Sequence, residues 1–255
     1  MNNLLKLEFR KLKRQKCFYI CLAIMVAMLL ITGVTAKIFM DHAAELAEIA
    51  GEPVIPTTLP VFLLSFASAS MFSMIASIYV SIVVCEDYES QTIKNIYARG
   101  YSRSAHYFSK LIYIAVAVTV MFSVVVAFAG GVGGAFFGFE GLNGKVFALI
   151  LGQYVVCMSG VALSFVIATL IKKLGGTIAA NILVPMILPL LLGLADTALK
   201  SESFKFADVW IDSFLTSLTS TDVGTGRITA CILGAIAYGT AFILAGYFAD
   251  RKSEV

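Results

Sequence analysis

Charge is scarce in this chain: only 14% of its 255 residues are Asp, Glu, Lys or Arg. An ordinary globular domain carries roughly a quarter. Histidine is scarcer, with His42 and His106 as its two copies, and there is a single tryptophan. At a mean hydropathy of +0.90 there is too little polar surface to coat a globule in water. Intrinsic disorder, nucleic-acid binding and soluble enzymes are therefore excluded as readings. The solvent this composition fits is a lipid bilayer, which takes about 20 mostly apolar residues per helical span.

Apolar runs of that length are what the chain has instead. They fall at about 17–39, 59–85, 107–131, 146–171, 177–194 and 228–249, and none alternates polar and apolar as a barrel strand would. The whole chain, 1–255, thus reads as one all-α integral membrane domain of six transmembrane helices. The fifth run holds Pro185 and Pro189, which predicts a kink. All five cysteines (Cys17, Cys21, Cys85, Cys157 and Cys231) lie in or beside these runs, so no external disulfide framework is implied. Cys17 and Cys21 share a helical face but lack companion metal ligands, and they read as small hydrophobes.

The first 16 residues carry six Lys or Arg against one Glu. On a helical wheel Leu5, Phe9 and Leu12 share one face, while Lys6, Arg10, Lys13 and Arg14 line another. This is the pattern of a helix lying in the membrane interface. The apolar run that follows is long for a signal peptide and lacks a small-x-small cleavage site, so it reads as a retained first span. With both termini in the cytoplasm, the inner side holds 14 of the 19 Lys and Arg and the outer side 5. Ten of the 16 acids go outside. The positive-inside rule therefore orients the chain in the cell membrane. Of the outer segments, the first part of Asp41–Pro60 is expected to continue the first helix beyond the membrane, and Lys200–Arg227 to form short aromatic helices resting in or dipping into the outer leaflet.

Catalytic groups are missing. The two histidines fall on opposite sides, so neither a His-based metal site nor a Ser-His-Asp triad is available. GGVGGAFFG resembles a phosphate loop only until its end, where no Gly-Lys-Ser/Thr follows. Gly130, Gly134 and Gly138 recur every four residues instead, a smooth stripe for close helix approach.

One inner segment stands apart, CEDYESQTIKNIYARGYSRSAHYFSK, from Cys85 to Lys110. Acids come first (Glu86, Asp87, Glu89) and bases follow (Lys94, Arg99, Arg103, Lys110). Thr92–Tyr97 fits a short helix that Gly100 would end through a left-handed cap. Composition alone also fits a solvated loop.

An acidic pair at a span's end (Glu86–Asp87), then Glu89–Asn95, then Arg99–Arg103 before the next span, resembles the membrane subunit of bacterial ABC exporters. More narrowly it is similar to the small six-span permeases of the type V exporter fold, which include drug, bacitracin and lantibiotic exporters. The basic N-terminus, LLKLEFRKLKRQK, is similar to the opening of these permeases, which implies a contact role for Leu5, Phe9, Arg10, Leu12 and Lys13. The resemblance implies a coupling helix between spans two and three that docks on an ATPase subunit. Docking would fall to Tyr88, Glu89, Thr92, Ile93, Asn95, Ile96, Arg99 and Arg103, with Glu86 and Asp87 at the hinge. It also implies a second copy or a paralogous permease to complete the pathway. ATP and Mg would sit on the partner, since this chain has no GxxxxGK[ST] and needs no cofactor of its own.

Two rival readings remain. One is a non-transporting immunity or sensor scaffold that captures a peptide with Lys200–Arg227. The other is a secondary transporter, which lacks support from intramembrane charges or an internal repeat. The substrate is unknown from sequence. Phe62, Phe66, Phe72, Met71 and Met74 on the second span either line a pathway or face lipid.

Overall fold

The computed structural model describes residues 7–8, 10–11, 15–50, 57–67, 70–199 and 206–252. Among them all regular structure is helical: α1 (Lys16–Ala50), α2 (Leu59–Ala67), α3 (Ser70–Glu89), α4 (Thr92–Ala98), α5 (Arg103–Phe137), α6 (Gly144–Ile171), α7 (Leu174–Leu199), α8 (Ile211–Ser217) and α9 (Thr225–Lys252). A single 3-10 turn, Ala207–Val209, precedes α8. Five helices, α1, α5, α6, α7 and α9, are long and apolar enough to cross a membrane. The second apolar run is carried by the pair α2 and α3. Of the interfacial-helix residues, Leu5, Phe9, Leu12 and Lys13 lie outside the described residues.

Helix α6 is the hub. It packs against α9, α3, α7, α8 and α2. Its most apolar stretch is 56% buried, against 6% for α7. Close approach of α6 and α9 depends on Gly246, where an added Cβ would sit 2.6 Å from Tyr107 Oη and 2.8 Å from Val166 Cγ2. Within the apolar interior, polar side chains form hydrogen bonds from helix to helix. Buried Gln153 on α6 donates to the carbonyls of Leu64 (3.0 Å) and Leu218 (3.1 Å), tying α2 to the turn after α8. On α3, Ser77 pairs with Ser164 of α6 at 2.8 Å, and Ser81 accepts from Asn181 of α7 at 2.8 Å. Such bonds hold transmembrane helices together where hydrophobicity does not discriminate between helix and lipid.

The outer segments follow the sequence reading in part. α1 continues to Ala50, and α8 forms within the stretch before the last long helix, with Ile211 and Leu215 buried. The glycine stripe is different from expectation. Gly130 meets nothing, Gly134 makes room for the Phe139 ring, and Gly138 ends α5 at φ 79°. The close contact is at the neighbouring Gly133, whose added Cβ would lie 2.5 Å from Leu59 Cδ1 and 2.9 Å from Phe62 Cδ1. Of the expected helix–helix stripe, Gly130 is open, Gly134 is a ring notch and Gly138 a cap, and the helix contact lies at Gly133 instead. The prolines of the fifth run both lie inside α7, which is continuous from Leu174 to Leu199.

Candidate functional site

The segments rich in Lys and Arg meet at one end of the bundle. Gln15 Nε2 donates to Glu86 at 3.2 Å, and Tyr113 OH donates to Gln15 Oε1 at 2.5 Å. Tyr88 OH donates to Asp250 at 3.4 Å, and Lys172 Nζ lies 5.3 Å above the Tyr88 ring. The N-terminal segment, the α3–α5 connection, the α6–α7 joint and the end of α9 are thus one surface.

At its centre is a buried charge cluster. Asp87, one residue beyond the acid that follows the second apolar run, is 3% exposed, Lys110 on α5 is 3% and Glu8 is 4%. Lys110 Nζ bonds Asp87 Oδ2 at 2.5 Å and lies 3.4 Å from Glu8 Oε2. Lys11 Nζ bonds Asp87 Oδ1 at 3.1 Å. Two acids and two lysines balance, which is the condition for keeping charges out of water. Burial works to raise the Asp87 pKa, but the neighbouring His106, Lys110 and Lys11 hold its carboxyl well below the usual carboxylate range. Burial likewise opposes the Lys11 charge, yet Asp87 and Glu8 win and hold its pKa above the ordinary value. His106 Nε2, at 3.9 Å from Asp87 Oδ2, touches it electrostatically but lies beyond hydrogen-bond reach.

The described residues of the N-terminal segment therefore turn a polar face inward, with Glu8, Lys11 and Gln15 all bonded to the bundle. Arg10 is exposed. The single acid among the N-terminal bases is the one that pins them.

Between α3 and α5 the short helix forms by local rules. Gln91, at φ 53°, breaks α3, and Lys94 N–H reaches back to the Gln91 carbonyl at 3.1 Å. The far end closes as a Schellman motif. Gly100 sits at φ 83°, its N–H bonds the Tyr97 carbonyl at 2.9 Å, and Tyr101 N–H bonds that of Ile96 at 3.4 Å. The left-handed position is one that glycine takes without Cβ strain. Ser102 then caps α5 by accepting from Ala105 N–H at 3.2 Å.

The face that α4 turns inward is its apolar one. Ile93 is 2% exposed, and Ile96 and Tyr97, three and four residues on, are half-buried. Tyr97 packs edge-on to His106 at 6.2 Å, and Arg103 lies 5.7 Å from its ring centre. The outer face shows Lys94, Ala98 and Arg99. Of the residues singled out in the sequence, Arg99 is open, Ile96, Thr92 and Arg103 are half-buried, and the Asn95 side chain lies outside the described residues. Thr92 Oγ1 pairs with Ser90 Oγ at 2.7 Å. Tyr88 faces Asp250 rather than solvent; its burial, with Asp250 alongside, pushes the phenol pKa up. Glu89 accepts from Leu174 N–H at 2.9 Å, at the first residue of α7. Of the hinge pair, Glu86 is exposed and Asp87 buried.

Sequence reasoning passed over Glu8, Lys11, Gln15, His106, Lys110 and Asp250 as working parts. Lys110 carried a signal, because it falls inside the 107–131 apolar run, where an ionisable residue calls for a partner. Of the aromatics on the second run, Phe62 and Phe72 are both 3% exposed and Met74 is 46% exposed. The Phe66 and Met71 side chains lie outside the described residues.

A bundle of long apolar helices with most of its Lys and Arg at one end, and a short capped helix between two of them, is the build of an integral membrane protein. The chain belongs to the ABC-2 family transporter proteins, whose family model matches residues 4–196, from the N-terminal segment through most of α7. It is accordingly a membrane permease component of an ABC transporter, not the ATPase, and such permeases are generally paired with an ATPase subunit. No curated protein matches the chain.

Proposed function

We propose that this chain is the membrane-spanning subunit of an ATP-driven exporter of the type V fold, forming half of a translocation pathway and docking a separate ATPase through α4. The carrying observation is α4 itself, fixed from beneath by Ile93 and closed by the Gly100 cap, with Lys94 and Arg99 outward. The helix is seated on its own chain, so its motion is the bundle's motion. In this reading Ile93 seats the helix, and the docking contact falls to the open side.

Six crossings and cytoplasmic termini belong to the same proposal. Gln15 and Asp250 lie at the same end of the bundle as Glu86 and Tyr88, which requires an even number of crossings. The five long helices and the α2–α3 pair supply six. The excess of Lys and Arg at that end supports the cytoplasm as its side. A second copy or a paralogue would complete the pathway. ATP and Mg bound by the partner would draw two ATPase subunits together, and α4 would pass that movement to the spans, shifting the population between inward and outward access. Capture of a peptide by the outer segment alone is disfavoured, because Ile211, Leu215 and Leu218 are buried in this chain's own bundle.

The test is capture. The tagged chain in nanodiscs should bring down an ATPase carrying GxxxxGK[ST]. The double variant Lys94→Glu, Arg99→Glu should insert normally and bind that ATPase on the order of tenfold or more weakly. Undiminished capture by the double variant would refute docking through α4.

A further inference from the structure

Helix α7 is the least embedded of the long helices. Only 6% of its most apolar stretch is buried, yet its first turns are hydrogen-bonded to α3. Thr177 is fully buried and accepts from Cys85 Sγ of α3 at 3.2 Å. Asn181, 2% exposed, donates to Ser81 Oγ of α3 at 2.8 Å and toward the Ser164 carbonyl of α6 at 3.4 Å. Just outside these bonds, Glu89 accepts the Leu174 N–H at 2.9 Å, and Lys172 covers the Tyr88 ring. The bonds of Thr177, Asn181 and Leu174 to Cys85, Ser81 and Glu89 join the later turns of α3 to the start of α7. Beyond them Pro185 and Pro189 interrupt the backbone hydrogen bonding of α7. From Pro185 onward the helix exposes Met186, Leu190 and Leu194. The helix is thus bonded to α3 and α6 at one end and carries two prolines in its middle, and at the other end it is tied to the bundle through Asp196, which accepts from Phe206 N–H at 2.7 Å.

We infer that Glu89 is a positioning residue that ties the α3–α4 junction to α7, so that displacement of α4 swings the outer half of α7 about its two prolines. The inference rests on the proposed docking of an ATPase at α4, and it adds which span moves and through which side chain. Glu89 accepts a helix-end N–H that has no partner within α7, while Thr177 and Asn181 keep the rest of that turn in step with α3. Displacement at Gln91 and α4 is then felt at Leu174, which lies directly against Glu89.

The experiment uses the permease–ATPase assembly in nanodiscs, with the native cysteines replaced by serine and spin labels at Phe147→Cys on α6 and Leu190→Cys on α7. Both positions are exposed. The distance between the labels is measured with and without a non-hydrolysable Mg-ATP analogue. The parent should show a nucleotide-dependent shift. Glu89→Ala should keep the ATPase bound and lose at least half of that shift. Glu89→Gln, which retains a carbonyl acceptor, should restore it, a rescue that a purely structural loss would not give. Thr177→Val with Asn181→Ala, far from any docking contact, should reduce the shift as well. An equal shift in Glu89→Ala and parent overturns the linkage while leaving α4 docking intact. A Glu89→Ala chain that inserts but releases the ATPase makes Glu89 a docking contact and also overturns it. A parent with no ATPase bound sinks the docking reading and the linkage together, and a parent that binds the ATPase but shows no shift at all sinks the linkage alone.

Discussion

Replacing Lys110 with Met is the sharpest probe of the buried cluster. Lys110 Nζ stands 2.5 Å from Asp87 and 3.4 Å from Glu8, with all three side chains at most 5% exposed. At an effective dielectric near 20, the 3.4 Å Glu8 contact is worth about 5 kcal/mol of gross attraction, and the Asp87 contact somewhat more. Most of this offsets the desolvation of the same groups, so the intact cluster contributes little net stability. Removal of one partner is another matter. In Lys110→Met, Glu8 and Asp87 share Lys11 alone, whose side chain is 42% exposed. The expected cost is about 3–5 kcal/mol. Asp87→Asn leaves two lysines against Glu8 and should cost a similar amount. The double variant retains Glu8 with Lys11, a balanced pair 3.9 Å apart, so its loss should fall below the sum of the singles by about 2 kcal/mol or more. Denaturant-titrated unfolding in mixed micelles, read for all four members of the cycle, measures that coupling. A Lys110→Met loss under about 1 kcal/mol, or single losses that add to within about 0.5 kcal/mol, would refute the closed charge balance.

Acid and base should bracket the same cluster. The Asp87 pKa is lowered in the fold, so its contribution is present above the unfolded carboxylate value of about 3.9 and is lost as pH falls toward the folded value. The Lys11 pKa is raised, so its contribution is present below about 10.4 and is lost as pH climbs through the folded value. Unfolding midpoints of parent and Asp87→Asn should therefore keep a constant separation from about pH 5 to 9, and a separation that drifts across that window contradicts the assignment. Gly246→Ala should lower stability by about 1–3 kcal/mol, because its Cβ would press on Tyr107 Oη and Val166; an unchanged thermal midpoint would show that α6 and α9 have room to part. Gln153→Leu, which strips two buried carbonyls of their donor, should cost about 1–3 kcal/mol, and the loss should be seen as faster proteolysis near α2 and α8. Normal protease resistance there would count against Gln153 as the tie between them.

What the sequence by itself determined is local or additive. Hydropathy summed along the chain marked the long helices, and charge summed by segment sorted their ends into two groups, the more basic of which the contacts of Gln15, Tyr88, Lys172 and Asp250 bring together on one side. Gly100 declared the end of α4, because a left-handed cap needs only a few neighbouring residues, and the helix formed as Thr92–Ala98. The tertiary structure decided whatever depends on which side chains meet across the fold. Lys11 finds Asp87 across 76 positions and Lys110 finds Glu8 across 102. No periodicity within the basic N-terminus distinguishes a face meant for lipid headgroups from one meant for two buried acids. Ile93 and Lys94 are neighbours in a seven-residue helix, and only the surface beneath α4 settled that the first turns in and the second out. The seam from Ser77 and Ser81 to Ser164 and Asn181 is a spacing of four on α3 that sequence displays but does not interpret. A serine in an apolar helix can bond its own backbone, and a partner helix becomes visible only once the bundle is assembled.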